Sequence, residues 1–182
     1  MLPTGRALID PDKVVAQADL RSGMLVADFG CGTLGHFVFP AAAMVGPEGR
    51  VYAVDILKSV LEGVAGRAKL EAAGNVEMLW SDIERPGGIA LKDGALDAGF
   101  LINNLFLTTH RPEMVRECVR TVKRGAPFII VDWKPSGVSF GPMFTRRIGA
   151  VEATGLAQAA GLEPVREFEA GRFHYGLVFR KK

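Results

Sequence analysis

The segment Asp28-Phe29-Gly30-Cys31-Gly32-Thr33-Leu34-Gly35 constrains this chain more than any other. It closes an apolar run, residues 24–29, that reads as a strand. It opens into residues 35–45, which read as a helix stopped by Gly46-Pro47. Spaced glycines permit a tight strand-to-helix turn and let a ligand come close to the main chain. The helix N-terminus beyond presents unpaired N–H groups to a negative group. Taken alone, the same glycines equally describe an ordinary turn, so the rest of the chain must decide.

That rest alternates. Residues 50–54 and 76–80 read as the second and third strands, separated by a helix over 58–73 with a near-3.6 period and a Gly74-Asn75 stop. Residues 95–102 give a fourth strand, 112–122 a helix and 126–131 a fifth strand. A helix over 149–160 ends at Gly161, and 162–168 with 173–179 make a closing hairpin around Glu169-Ala170-Gly171-Arg172. Residues 1–22 read as an N-terminal helical segment. Strands alternating with helices give an α/β fold with a mostly parallel sheet covered on both faces, and the hairpin adds one antiparallel strand. With 182 residues and no linker, the chain reads as one domain. In such sheets the ligand lies beyond the carboxyl ends of the strands.

Two further signals sit at those ends. Asp55 closes the second strand, where a carboxylate can accept from both hydroxyls of a ribose, with Ile56 beside it. Ser81-Asp82-Ile83 follows the third strand. There Asp82 can accept from an adenine amino group while Ile83 packs on the ring. Each acid alone also reads as a helix cap or a solvated loop acid; together with the glycine turn they point to an adenosine-containing cofactor. Gly30, Gly32 and Gly35 match the dinucleotide pattern GxGxxG, which keeps an NAD-dependent oxidoreductase as an alternative. Three features oppose it. Asp28 would repel a pyrophosphate but attract a sulfonium or ammonium. Asp55 lies beyond the usual interval of about 20 residues. No second mononucleotide half follows.

At this point the sequence resembles the class I S-adenosylmethionine-dependent methyltransferases, over about residues 24–179. The run from Val26 through Asp28 and Gly30 to Thr33 looks like that family's glycine motif. The run from Gly46 to Asp55 looks like its second strand with the ribose-binding acid, and Ser81-Asp82-Ile83 like its adenine-contacting position. Leu96-Asp97-Ala98-Gly99-Phe100 and Val122-Lys123-Arg124-Gly125-Ala126-Pro127 resemble its fourth strand and its turn into the fifth. The resemblance implies a Rossmann-like three-layer sandwich with a seven-stranded sheet, S-adenosyl-L-methionine as cofactor, and methyl transfer to an acceptor that a bare single domain suggests is a small molecule. A noncatalytic S-adenosylmethionine-binding module is the other outcome. The cofactor set it implies is Asp28, Gly30, Cys31, Gly32, Gly35, Asp55, Ile56, Ser81, Asp82, Ile83 and Asn103. One departure stands out: the family places a glycine where this chain has Leu34, and Gly35 follows, which implies a one-residue shift in the loop.

Methyl transfer rests largely on positioning and needs a base only when the nucleophile must lose a proton. His110, after the fourth strand, is the best-placed candidate base; His36 and His174 are others, and an ordinary packing or surface role suits each. Asn103-Asn104-Leu105-Phe106 faintly resembles the Asn-Pro-Pro-Phe motif of amino-group methylating enzymes but lacks the prolines. Asn103 therefore reads as a loop residue beside the methionine part of the cofactor. Trp133 reads as a pocket wall or as core. Residues 134–147 read as a long loop, a candidate lid over an apolar or anionic substrate, or else a surface turn or homodimer contact. Cys31 and Cys118 show no metal spacing, and no metal is expected. Cys31 reads either as a residue packed under the glycine loop or, near a helix terminus, as a thiol with a lowered pKa. A net charge of +2 with mixed signs gives no strong nucleic-acid signal. No apolar run is long enough for a bilayer, and no signal peptide is legible, so a cytoplasmic protein is expected.

Overall fold

The computed structural model describes residues 8–135 and 140–182. In chain order the elements are α1 (Pro11–Val15) with a 3-10 turn (Ala16–Ala18), β1 (Leu25–Phe29), α2 (Val38–Val45), β2 (Arg50–Asp55), α3 (Lys58–Leu70), β3 (Val76–Trp80), β4 (Ala98–Ile102), α4 (Arg111–Arg120), β5 (Pro127–Trp133), a 3-10 turn (Phe144–Arg146), α5 (Ala150–Ala159), β6 (Leu162–Gly171) and β7 (His174–Lys181). All seven strands form one sheet in the order β3-β2-β1-β4-β5-β7-β6. β1 to β5 run parallel, and β7 is antiparallel to both of its neighbours. This is the mostly parallel α/β sheet that the alternating pattern predicts, in the seven-stranded, Rossmann-like three-layer form that the family resemblance implies. Chain order reverses direction at β1 and β4, so the crevice opens beyond Phe29 and Ile102.

Strand alternation explains why both faces are covered. In β1, Val26 packs on the face carrying α1, α2 and α3, while Ala27 and Phe29 pack on the face carrying α4 and α5. Asp28 shares the Val26 parity, which buries a carboxylate inside the first of these faces. On the other face, Phe29 and Phe128 stack with centroids 6.1 Å apart across the intervening β4. Gly99 on β4 makes room for them: a Cβ there would lie 2.9 Å from the Phe128 ring and 3.1 Å from Phe29.

Several boundaries differ from the sequence expectation. The helix after the glycine turn, α2, begins at Val38 rather than residue 35, because Gly30, Gly32 and Gly35 all adopt positive φ and extend the turn. His36 therefore lies in that turn and not in a helix. β4 begins at Ala98, because Asp97 uses its side chain to accept from Leu25 N. The hairpin strand β6 runs on to Gly171, so most of the expected turn is strand. Of the N-terminal segment, residues 8–22 are described; of the expected lid, 134–135 and 140–147 are, and the remainder of both lies outside the described residues. Among the described residues no helix is long and apolar enough to cross a membrane.

Candidate active site

The glycine turn is fixed from two sides. Gly30 N and Cys31 N both donate to Val54 O, at 2.8 and 3.0 Å, which ties the turn to the end of β2. Asn104 holds it from the other side: its Nδ2 donates to Phe29 O at 2.8 Å and to Ile102 O at 2.9 Å. A Cβ on Gly30 would fall 2.1 Å from Asn104 Oδ1, so only glycine permits this approach. Leu34, 56% exposed, points away, and its carbonyl accepts from Arg67. The departure from the family motif is thus absorbed on the solvent side, with Gly35 packed against Phe39 and Val38.

Beyond these strand ends lies a cavity of about 500 Å³, within the usual range for small-ligand sites. Asp28, Gly30, Cys31, Gly32, Asp55, Ile56, Asp82, Ile83 and Asn103 all line it. Gly35, Ser81 and His110 do not. Gly35 ends the turn behind the wall. Ser81 is buried, and its N–H donates to Asp55 O at 3.0 Å. His110 is exposed as the N-cap of α4, its N–H donating to Thr108 Oγ1, so it is not brought to the cavity. The histidine in the wall is His36. His174 is buried against Trp133 with ring centroids 4.2 Å apart; burial lowers its pKa to about 4 and keeps it neutral.

The electrostatics of the cavity are acidic and unsatisfied. Asp28 is 2% exposed, and its Oδ2 is buried with no hydrogen-bond partner. Burial, then the charge of Asp55, pushes its pKa up to about 7. Asn103 sits at φ +58°, a left-handed conformation that asparagine tolerates better than most residues, and its Oδ1 is also buried without a partner. Two lone acceptors in one cavity are the complement of a cationic donor. Asp55 Oδ2 accepts from Gly32 N at 3.3 Å and Oδ1 from Leu57 N at 3.0 Å, so the acid also orders the loops around it. Asp82 Oδ1 accepts from Glu84 N at 2.9 Å. Ile56 and Leu57 are more than half exposed and offer flat apolar area on the wall. The thiol of Cys31 is pushed up, not down, by burial and then by the charges of Asp28 and Asp55. With six residues, 32–37, between Cys31 and the start of α2 at Val38, no helix terminus offsets them.

Sequence reasoning missed Asn104, Glu84 and Leu107 as wall residues. The Asn103-Asn104 pair carried a signal in its position after β4, but which asparagine braces Gly30 depends on the left-handed turn at Asn103. Trp133 is core: it packs on His174, Phe140 and Arg147 and is not part of the cavity. Among the described residues there is no cluster of side chains that could hold a metal ion.

A nucleoside-sized cradle with acids at the ends of β1 and β2 and after β3, in a sheet whose one antiparallel strand among the described residues is β7, defines the class I S-adenosylmethionine-dependent methyltransferase architecture. The model of the methyltransferase domain family matches residues 20–143, and the chain belongs to that family. Membership of that family overturns the dinucleotide alternative. A ubiquinone/menaquinone biosynthesis C-methyltransferase, UbiE, from Pseudomonas putida (strain GB-1) is 32% identical over 121 residues, covering 64% of this chain and 45% of that protein. Aklanonic acid methyltransferase DauC from Streptomyces sp. (strain C5) is 35% identical over 85 residues, 47% of this chain and 36% of that one. The chain thus spans less than half the length of these curated relatives. A crystal structure of a SAM dependent methyltransferase from Aquifex aeolicus superposes with a TM-score of 0.87 at 28% identity, covering 98% of this chain and 93% of that one. The [4+2]-cyclase SpnF shares the fold, with a TM-score of 0.79 at 16% identity, over 94% of this chain and 80% of that one.

Proposed function

We propose that this protein binds S-adenosyl-L-methionine in the cavity beyond β1, β2 and β3 and transfers its methyl group to a small-molecule acceptor. The observation that carries the reading is the pair of buried, unpartnered acceptors, Asp28 Oδ2 and Asn103 Oδ1, on two residues that line one cavity. The cofactor carries an α-ammonium that fits them, and when bound it supplies an electrophilic methyl on a sulfonium. Asp28 and Asn103 hold the ammonium. Asp55 accepts from the ribose hydroxyls while keeping its own hold on the Gly32 and Leu57 amides. Asp82 takes the adenine amino group, and Ile56, Leu57 and Ile83 shield the ring from water. Catalysis then rests on aligning the acceptor's lone pair with the methyl group, a contribution that correct orientation alone makes large. His36 lines the wall and is the candidate to take a proton, should the acceptor release one.

Two relatives named for small-molecule chemistry, UbiE and DauC, support a small acceptor. Both cysteines are free and buried, which suits a cytoplasmic, reducing compartment. Calorimetry with S-adenosylmethionine, followed by a broad acceptor screen with methyl-labelled cofactor, tests the proposal. Binding with transfer supports it. Binding without transfer to any acceptor means a noncatalytic module, and no binding by folded protein removes the reading altogether.

A further inference from the structure

A second cavity, of about 480 Å³, lies next to the first and shares Glu84 and Leu107 with it as common walls. Its remaining wall comes from the loop after β4 and from the 3-10 turn at Phe144–Arg146. Phe106 and Leu107 make it apolar, Thr108 makes it polar, and Arg111 and Arg146 bring two guanidinium groups. We infer that this second cavity is the acceptor site, and that it selects an anionic acceptor: an apolar body carrying a carboxylate, sulfonate or phosphate. The inference rests on the cofactor assignment of the neighbouring cavity.

The wall is a built structure. Arg111 Nε donates to Leu105 O at 2.7 Å and Nη2 to Arg146 O at 3.2 Å, which pins the 3-10 turn to the loop after β4. Arg147 holds the same turn from behind, donating to Pro142 O at 2.8 Å and Phe140 O at 2.7 Å with its guanidinium over the Phe144 ring. Glu84 crosses the junction of the two cavities, where its Oε2 accepts from the Thr108 hydroxyl at 2.7 Å.

The charges differ in how far they are compensated. Glu84 is held at the junction by the neutral Thr108 hydroxyl and keeps its charge there, set against the two guanidinium groups of the same cavity wall. Arg111 faces Glu152 at 3.7 Å and spends its donors on backbone carbonyls. Arg146 is exposed and forms no ion pair with any described residue, so it is the charge left for a ligand. A guanidinium binds carboxylate, sulfonate or phosphate through paired N–H donors, which favours an anion over a neutral isostere. Leu107, 59% exposed between the cavities, gives the apolar body of the acceptor a surface to lie on as it reaches toward the methyl group.

A matched pair of fluorescent probes tests the assignment: 1-anilinonaphthalene-8-sulfonate and the uncharged N-phenyl-1-naphthylamine, which share an aromatic skeleton. Both are titrated into the full chain saturated with S-adenosylhomocysteine. The sulfonate is expected to bind at least tenfold more tightly than the neutral amine. R146E should remove most of that preference, while R124E, an equal charge change at an exposed turn elsewhere, should leave it. Affinity for S-adenosylhomocysteine should be the same in all three proteins. Equal binding of the two probes, or a preference that survives R146E, would overturn the anionic assignment while leaving the cofactor reading intact. Failure of the wild-type protein to bind S-adenosylhomocysteine, seen in its own separate titration, would instead overturn the cofactor reading and this inference with it.

Discussion

Replacing Asp28 by asparagine is expected to strengthen the folded protein and weaken its grip on the cofactor. The carboxyl titrates near 3.8 in an unfolded chain and near 7 in the folded, cofactor-free protein, because burial and then the charge of Asp55 disfavour its ionised form. Ionisation is therefore easier unfolded than folded. The associated stability is complete below 3.8, declines as pH rises, and is gone above about 7. At about 1.4 kcal/mol for each tenfold in proton affinity, the full loss is about 4 kcal/mol. Asparagine keeps the shape of the side chain and never ionises. Urea unfolding at pH 4.5 should give similar stabilities for the two proteins, and at pH 9 the variant should be the more stable by about 2–4 kcal/mol. Asp132, also buried and raised to about 7, remains in both proteins and cancels from the comparison. Binding should move the opposite way. A cationic ammonium favours the carboxylate, so wild-type affinity for S-adenosylhomocysteine should climb by up to about tenfold per pH step between 5 and 7 and then level off. The variant should bind more weakly, without that climb. A variant less stable than wild type at pH 9, or a wild-type affinity that ignores pH in this window, would refute the buried-acid reasoning.

Three further substitutions probe other parts of the site and its support. Asp55→Ala removes the paired ribose acceptor and the anchor of the Gly32 and Leu57 amides, and calorimetry should show cofactor affinity at least about tenfold weaker. Gly30→Ala forces a side chain onto a left-handed residue and into Asn104, so thermal unfolding should register a loss of at least about 2 kcal/mol. Glu117→Ala strips the buried carboxylate that accepts from Gly87 N and Ile89 N, both at 2.9 Å, and pairs with Arg120 at 2.8 Å. Denaturant unfolding should show a cost of at least about 2 kcal/mol, because the Gly87 and Ile89 amides lose their acceptor while Arg120 keeps only Asp93 as a carboxylate partner.

The sheet was legible because its inner strands are short, apolar and bounded by turn residues, and because periodicity separates them from the helices. β3, by contrast, is half-exposed at the sheet edge, and its position came from the Gly74-Asn75 stop before it and the Asp82 turn after it. The acids were legible for a topological reason: strand ends in a parallel sheet converge, so Asp28, Asp55 and Asp82 had to share one rim. The start of α2 was not, since the conformations of Gly30, Gly32 and Gly35 depend on the pull of Val54 O and Asn104. Nor was the fate of His110. His110 caps α4 from outside the helix and is exposed, with its N–H held by the Thr108 hydroxyl, a contact that chain order does not show. The sign of the Cys31 shift was missed because proximity to a helix was read from chain order, whereas burial and two acids three-dimensionally near it dominate.

The most direct measurement is a calorimetric titration of the folded chain with S-adenosylmethionine, and in a parallel run with NAD. One saturable site for the sulfonium nucleoside and no heat from the dinucleotide is the expected result. Saturation by NAD, or silence from both in a protein that circular dichroism shows to be folded, would contradict the cradle built around Asp28, Asp55 and Asp82.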